Sequence, residues 1–259
     1  MEAVGKSTAT LTVVVLTLNE ERHIADCIAS VRTADEIIVL DSGSTDHTRE
    51  LAAAAGARVE VRPMTNFAEQ RNHANSLASS DWILHLDADE RATPELMREI
   101  RHATASELFD GYRVPTLNII FAAPLRHGGW YPSYHVRLQR RGKGSWGRDV
   151  HELAEVKGEL GSLKEPIVHH SHPDVAGFVD KLNRYTTLEA ARDARSSSSL
   201  ALRAGLEPGP YFLYKYVWQR GFLDGWRGLT IALLLACYRC VGYLKALELR
   251  HRNAAPPPA

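Results

Sequence analysis

From Leu11 to about residue 105 the chain alternates short apolar runs with helical spacing. Leu11–Leu18 (LTVVVLTL) is continuous and rich in β-branched residues, the pattern of a strand buried on both faces. Ile24, Ile28 and Val31 then recur at helical intervals. Ile37–Leu40 (IIVL) predicts a second buried strand. It ends on the polar turn Asp41–Asp46, which caps a helix over Thr48–Ala55 that Gly56 stops. Val59–Val61 predicts a third strand, Asn66–Ala78 a helix and Trp82–Leu86 a fourth strand. Thr93 as N-cap and Pro94 at the first helical position open the next helix. This alternation predicts an α/β fold with a mostly parallel sheet and helices on both faces. Ligands of such sheets bind beyond the carboxyl ends of the strands. The turns at Asn19-Glu20, Asp41–Asp46 and Asp87–Asp89 each follow a strand, so they should converge on one rim.

Beyond Gly111 the pattern is less regular. Strands are expected near Gly111–Val114, His135–Gln139 and Val150–Ala154, then a long helix from Pro173 to about Arg195. Ser196–Ser199 and Glu207–Pro210 read as breaks, and Tyr211–Arg250 as a second helical region. Asn253–Ala259 (NAAPPPA) has the composition of a disordered tail. The expected organisation is an α/β domain over 10–172, a helical region over 173–252 and a tail over 253–259.

Leu229–Tyr238 is an apolar run of ten residues, short of the roughly 20 that span a bilayer. Arg203–Arg252 carries a net charge of +5, with Trp218, Trp226 and several other aromatics interleaved. Basic and aromatic residues around a short apolar run suit peripheral contact with a membrane; a helix packed within the protein is the competing reading.

Composition narrows the function classes. The 259 residues hold 31 Lys and Arg against 31 Asp and Glu, which removes the bulk electrostatic case for nucleic acid. Cys27, Cys237 and Cys240 are too few for a disulfide framework, and the C-x-x-C they include lies in an apolar helical run. The polar start, Met1–Thr10, has no hydrophobic signal region, which predicts a cytoplasmic protein. Gly5-Lys6-Ser7-Thr8 mimics the end of a phosphate-binding loop but lacks its first glycine and its preceding strand.

The candidate chemistry sits on the predicted rim. Asp87 and Asp89, separated by one residue at a strand end, suit a divalent cation and a ribose hydroxyl. The turn Asp41–Asp46 can accept hydrogen bonds from a base and ribose, and Arg71 can reach a diphosphate or a base.

TLNEE (Thr17–Glu21), LDSGSTDHT (Leu40–Thr48), QRNHA (Gln70–Ala74) and DWILHLDADE (Asp81–Glu90) together resemble the donor half of family 2 glycosyltransferases of the GT-A fold. RLQRRGKGSWGRDVHE (Arg137–Glu152), His169-His170-Ser171, KLNRYT (Lys181–Thr186) and GFLDGWRG (Gly221–Gly228) resemble the subfamily of lipopolysaccharide core glucosyltransferases. The resemblance implies an inverting enzyme that uses Mg²⁺ or Mn²⁺ and moves a hexose, glucose by family expectation, from a UDP-sugar. The expected acceptor is a glycan or glycolipid of the cell envelope, met at the inner face of the plasma membrane. It implies a donor-binding set of Thr17, Asn19, Glu20, Asp41, Ser42, Arg71, Asp87 and Ala88, with Asp41 on the base. Asp89 should ligate the metal, with help from Asp87 and from His169, which has His170 and His172 as neighbours. Where the family carries a Glu-Asp pair this chain has His151-Glu152, so Glu152 is the candidate general base and Asp149 the alternative.

Competing classes fit less well. A D-x-D-x-T phosphatase needs threonine where Arg91 stands. A nucleotidyltransferase opens with a glycine-rich basic loop, whereas Leu18–Glu21 is acidic. A non-catalytic nucleotide-sugar module, or a transferase acting on polyprenyl-phosphate-linked glycans, stays open at this level.

Overall fold

Period-2 alternation explains why β1 (Leu11–Thr17) sits at the centre of the parallel half of the sheet. Leu11, Val13 and Val15 face one core cluster with Ile24, Cys27, Ile28, Leu96 and Ile100. Val14 and Leu16 face the other, with Leu40, Ala74, Ala78 and Ile83. Thus α1 (Ile24–Ser30) and α4 (Pro94–Thr104) cover one face and α3 (Phe67–Leu77) the other. The computed structural model describes residues 9–147, 153–196 and 199–254.

Two parallel neighbours flank β1: β2 (Glu36–Asp41) and β4 (Trp82–Asp87), with β3 (Arg58–Val61) beyond β2 and α2 (Thr48–Ala54) between β2 and β3 in the chain. Register sets Thr17 against Asp41 and Leu16 against Asp87, so the three expected turns do leave the same sheet edge. Past β4 the sheet turns antiparallel. Its order is β3-β2-β1-β4-β8-β6-β12-β5, where β5 is Glu90–Ala92, β6 Gly111–Ile120, β8 Ser133–Arg140 and β12 Ile167–His172. Short strands β7 (Ala123–Pro124) and β11 (Leu160–Ser162) pair with β6, while β9 (Gly144–Gly147) and β10 (Leu153–Val156) form a separate hairpin. The strand expected over Val150–Ala154 is therefore seen only from Leu153; residues 148–152 lie outside the described residues.

Local capping matches the sequence signals. Asn66 accepts the Glu69 N–H at the start of α3, and Thr93 accepts the Leu96 N–H at the start of α4.

The chain divides into two compact units, Met1–Thr116 with Ser133–His169, and Leu117–Pro132 with His170–Ala259. The expected boundary at 172/173 missed the inserted piece Leu117–Pro132. Its Ile120, Phe121, Leu125 and Trp130 pack with Phe178, Leu182 and Ile231, partners too distant in sequence for any periodic pattern to show. In this second unit α5 (Val175–Ser196) lies against α8 (Gly225–Ala254), with α6 (Leu200–Leu206) and α7 (Pro208–Leu213) beside α8. Pro208 and Pro210 do not break the chain into a loop: they occupy the first turn of α7, where a missing N–H costs nothing. A π turn (Tyr214–Trp218) and a 3₁₀ turn (Gly221–Asp224) then lead into α8. The glycines of GFLDGWRG have a steric reason, since a Cβ on Gly228 would collide with the Gly221 carbonyl oxygen.

Helix α8 corrects the length argument for the apolar run. The run is only the centre of a continuous 30-residue helix, which is long and apolar enough to cross a membrane by length and composition. Only a third of its most apolar window is buried. The tail expected over 253–259 begins inside α8, and 255–259 lie outside the described residues.

Three carboxylates tie the amino ends of the central strands. Asp35 feels burial, but the Leu11 N–H and Arg101 outweigh it and hold its carboxyl below the ordinary range. Glu36 is likewise desolvated, yet Thr12 and Ser79 lower it by hydrogen bonding. The Thr10 N–H and hydroxyl lower Asp81. Because the folded values lie below the unfolded ones, this stabilisation is complete above the unfolded range of about 4 and fades as pH falls through the folded values. Melting temperature should therefore drop steeply in acid. Glu36→Gln should lower the melting temperature at neutral pH and flatten that acid limb. A variant curve running parallel to the parent from pH 7 to pH 3 would contradict this role.

Candidate active site

The rim is built from side chains that hold the turns to one another. Asp41 is fully buried and accepts the N–H groups of Gly43 and Ser44 at 3.0 and 2.8 Å, and also the Ser44 hydroxyl. Its carboxylate therefore shapes the turn after β2. Asn19, with φ of 56°, sits in the left-handed region that asparagine tolerates. From there its side-chain oxygen accepts the Thr45 N–H at 2.8 Å, while its own N–H donates to Ser44. The Ser42 N–H donates to the Thr17 carbonyl. The buried Thr17 hydroxyl has no hydrogen-bond partner among the described residues, an orphan polar group at the end of β1.

Asp87, the last residue of β4, is held by two guanidiniums. Arg71 donates to Oδ1 at 2.8 Å, and Arg137 approaches Oδ2 at 3.5 Å. Burial would raise the Asp87 carboxyl, but Arg71 and Arg137 dominate and keep it well below the usual carboxylate range. Arg137 also donates to Glu90 at 2.7 Å, and Glu90 accepts the Asp87 N–H. Glu90 is raised, mainly by burial, with Arg137 opposing.

Each arginine is placed by its own local device. Arg71 lies on the buried side of α3, its guanidinium 4.7 Å from the centre of the Trp146 ring. Trp146 is pinned to α3 in turn: its N–H donates to Asn72, whose amide donates back to its carbonyl, each at 2.8 Å. Arg137 is the extra residue of a β-bulge, since Tyr112 pairs with Leu138 and Arg113 with Val136. A bulge re-aims the residue it inserts.

Asp89 stands differently. Its Oδ2 meets His169 Nε2 at 3.1 Å, and both side chains are about a quarter exposed. His169 comes from 80 residues further on because β12 pairs antiparallel with β5, setting His169 opposite Glu90. Burial would lower this imidazole, but the hydrogen bond and charge of Asp89 raise it above its ordinary value. Nearby Glu20 is pushed up to about 7, first by burial and then by Asp89 and Asp46, against Arg91.

This acidic field fits a hard divalent cation. Among the described residues no three His, Cys, Asp or Glu side chains close into a ready-made metal cage. That suits an ion such as Mg²⁺, which commonly takes one or two carboxylates and completes its shell with substrate phosphates and water. Ala88 shows why the position between the aspartates is small: it is buried, and its N–H donates to the Leu16 carbonyl.

Thr17, Asn19, Glu20, Asp41 and Ser42 thus gather at the β1 and β2 ends, while Arg71, Asp87, Ala88, Asp89 and His169 gather at β4 and β5. Asp149 and Glu152 lie outside the described residues. Sequence reasoning gave no role to Glu90, Arg137 or Trp146. Arg137 and Trp146 lay inside the quoted RLQRRGKGSWGRDVHE, but only the bulge and the α3 contact reveal their use. A recess of about 730 Å³ between α1 and α4 carries no carboxylate in its lining. A second, of about 450 Å³, opens beside Arg71 and Arg137.

The model for glycosyl transferase family 2 matches residues 12–143, which hold Arg71, Asp87, Asp89, Glu90 and Arg137 but neither Trp146 nor His169. The chain is similar to the lipopolysaccharide core biosynthesis glycosyltransferase LpsC of Rhizobium meliloti, 31% identical over 87% of this chain and 90% of that one. It is similar to an uncharacterized glycosyltransferase of Rickettsia typhi, 28% identical over 92% of this chain and 88% of the relative. A solved structure of glucosyl-3-phosphoglycerate synthase from Mycobacterium tuberculosis, in complex with Mn²⁺, UDP and glucosyl-3-phosphoglycerate, is 29% identical. It covers 42% of this chain and 44% of its own, at a TM-score of 0.37. The family match over half of the chain and the near-complete overlap with LpsC give the assignment: the chain belongs to glycosyl transferase family 2, a glycosyltransferase on the GT-A fold.

Proposed function

We propose that this glycosyltransferase transfers a hexose, glucose by family expectation, from a UDP-sugar to a glycan or glycolipid acceptor, with inversion. The observation that carries the reading is the division between Asp87, fixed by Arg71 and Arg137, and Asp89, left beside His169 on the same rim. The similarity to LpsC favours an acceptor in lipopolysaccharide core or related envelope glycan.

In this reading the β1 and β2 turns receive the nucleoside. Asp41 shapes the turn that meets the base, the orphan Thr17 hydroxyl is available to the donor, and Asp87 meets the ribose. Asp89, with Asp87 and His169 beside it, would hold Mg²⁺ or Mn²⁺. When bound, that ion neutralises charge growing on the diphosphate leaving group. The acceptor oxygen attacks the anomeric carbon as the bond to the diphosphate breaks, and its proton passes to a carboxylate, Glu152 first and Asp149 as the alternative. A single displacement inverts the anomeric centre.

The test is turnover of UDP-hexoses with envelope extract as acceptor source, read by mass spectrometry, with NMR of the product anomer. Transfer with inversion, abolished by EDTA and restored by Mn²⁺ or Mg²⁺, is the expected result. A retained anomer, or full activity in EDTA, would overturn the reading. Glu152→Gln should lower kcat by about 10²–10⁴-fold while UDP affinity holds. Near-normal kcat in that variant beside a dead Asp149→Asn would move the base to Asp149.

We also infer peripheral attachment at the cytoplasmic face of the membrane. In the second unit Leu213, Val217, Phe222, Leu223 and Trp226 are exposed, and Trp218 is 80% exposed. Lys215, Arg220 and Arg227 lie among them. Much of the remaining basic charge is already used inside the unit: Arg203 and Arg239 pair with Glu207, Lys245 binds Asn183, Thr186 and Thr187, and Arg252 pairs with Glu248. Lys215 and Arg227 likewise donate to the Gly128 and Phe121 carbonyls, so apolar burial should carry more of the affinity than charge, a basic group near an anionic surface adding about 1 kcal/mol. The protein should sediment with anionic vesicles and be released only in part by high salt. Trp218→Ala should weaken sedimentation without changing UDP affinity. Indifference to such vesicles at low salt would contradict peripheral docking, and release by detergent alone would indicate that α8 spans.

A further inference from the structure

The 450 Å³ recess beside the Asp87 site is rich in guanidinium. Its lining includes Arg71, Arg113, Arg137 and His135, with Tyr134 and Trp146 as aromatic wall. The recess is set by the sheet order: β8 and β6 lie across β4 from β1 and β2, so it opens on the far side of Asp87 from the nucleoside turns. Its size falls within the range of small-molecule sites.

Charge decides what belongs there. Three guanidiniums line the recess, and among the described residues Arg71 engages Asp87 while Arg137 engages Asp87 and Glu90. Both are taken by Arg71 and Arg137. Arg113, exposed on β6 opposite Val136, has no ion-pair partner among the described residues. The bulge in β8 brings Arg137 and Arg113 to the same recess despite their different strands. A guanidinium can donate to the hydroxyls of a neutral sugar, but an oxyanion also uses its charge, and the guanidinium fork matches a phosphate or carboxylate geometrically.

We propose that this recess binds an anionic group of the acceptor, so that the enzyme's acceptor is a sugar bearing phosphate or carboxylate rather than a neutral glycan. The proposal rests on the glycosyltransferase reading for the word acceptor, but the recess and its charge stand without it. Arg113 is the residue whose charge serves the acceptor alone, since Arg71 and Arg137 also hold Asp87.

Calorimetric titration of the full chain tests it, with and without saturating UDP and Mn²⁺. Glucose 6-phosphate and glucuronate serve as anionic probes and methyl glucoside as the neutral one. The expected result is binding of at least one anionic probe, no detectable binding of methyl glucoside, and a loss of about tenfold or more in Arg113→Gln with UDP affinity retained. Arg113→Lys should restore part of the loss. Which probe binds tighter tells phosphate from carboxylate. Equal binding of the neutral probe, failure of both anionic probes, or anion binding indifferent to Arg113→Gln would each overturn the proposal. Failure of UDP to bind with Mn²⁺ would instead sink the donor reading, while the UDP-free titration still decides the anion site.

Discussion

The carboxylate of Asp87, with Arg71 on one oxygen and Arg137 on the other, is the interaction around which this site is arranged. Arg71 is 6% exposed and Arg137 12%, while Asp87 keeps 38% of its side chain open. Removing one partner of a buried pair leaves a charge uncompensated and costs roughly 3–5 kcal/mol, less here because Asp87 is reached by solvent. The arrangement commits three elements at once. Helix α3 must present Arg71, β8 must bulge at Arg137, and Glu90 must be buried where Arg137 can balance it. Trp146 then locks α3 through Asn72 and lies against the Arg71 guanidinium.

That clamp gives the two aspartates of the D-x-D different work. Asp87 is oriented and neutralised from within the protein. Asp89, two residues on, stays beside His169, and with Asp46 it adds to the burial that pushes Glu20 up to about 7. A carboxylate field of this kind suits a hard cation that completes its shell with phosphate oxygens and water, the role proposed above for Asp89.

Local signals made much of this legible in the sequence. The parallel strands were readable because each is a short β-branched run ending in a polar turn, and α4 because Thr93 caps it; the Asn66 cap of α3 emerges from the structure. The convergence of Asn19, Asp41 and Asp87 followed from strand-end placement alone. What stayed hidden depends on distant pairing. Nothing local to Ile167–His172 shows that His169 will lie beside Asp89, because β12 reaches β5 across the sheet order. Arg137 looked like one basic residue among several, and its role comes from a register shift. In the second unit a helical region reaching Arg250 was legible, but the apolar run shows only its own ten residues rather than the 30-residue helix that carries it, since Arg239 and Lys245 interrupt the apolar pattern without interrupting the helix.

In the proposed site Asp87 is held chiefly by the arginines, and the cation depends chiefly on Asp89. This division is tested most directly by measuring how much Mn²⁺ tightens UDP binding in the parent, in Asp89→Asn and in Asp87→Asn, with melting curves as a check on folding. Asp89→Asn should keep its melting temperature and lose the Mn²⁺-dependent gain. Asp87→Asn should bind UDP more weakly yet retain a gain. A gain that survives in Asp89→Asn and vanishes in a folded Asp87→Asn would contradict that division.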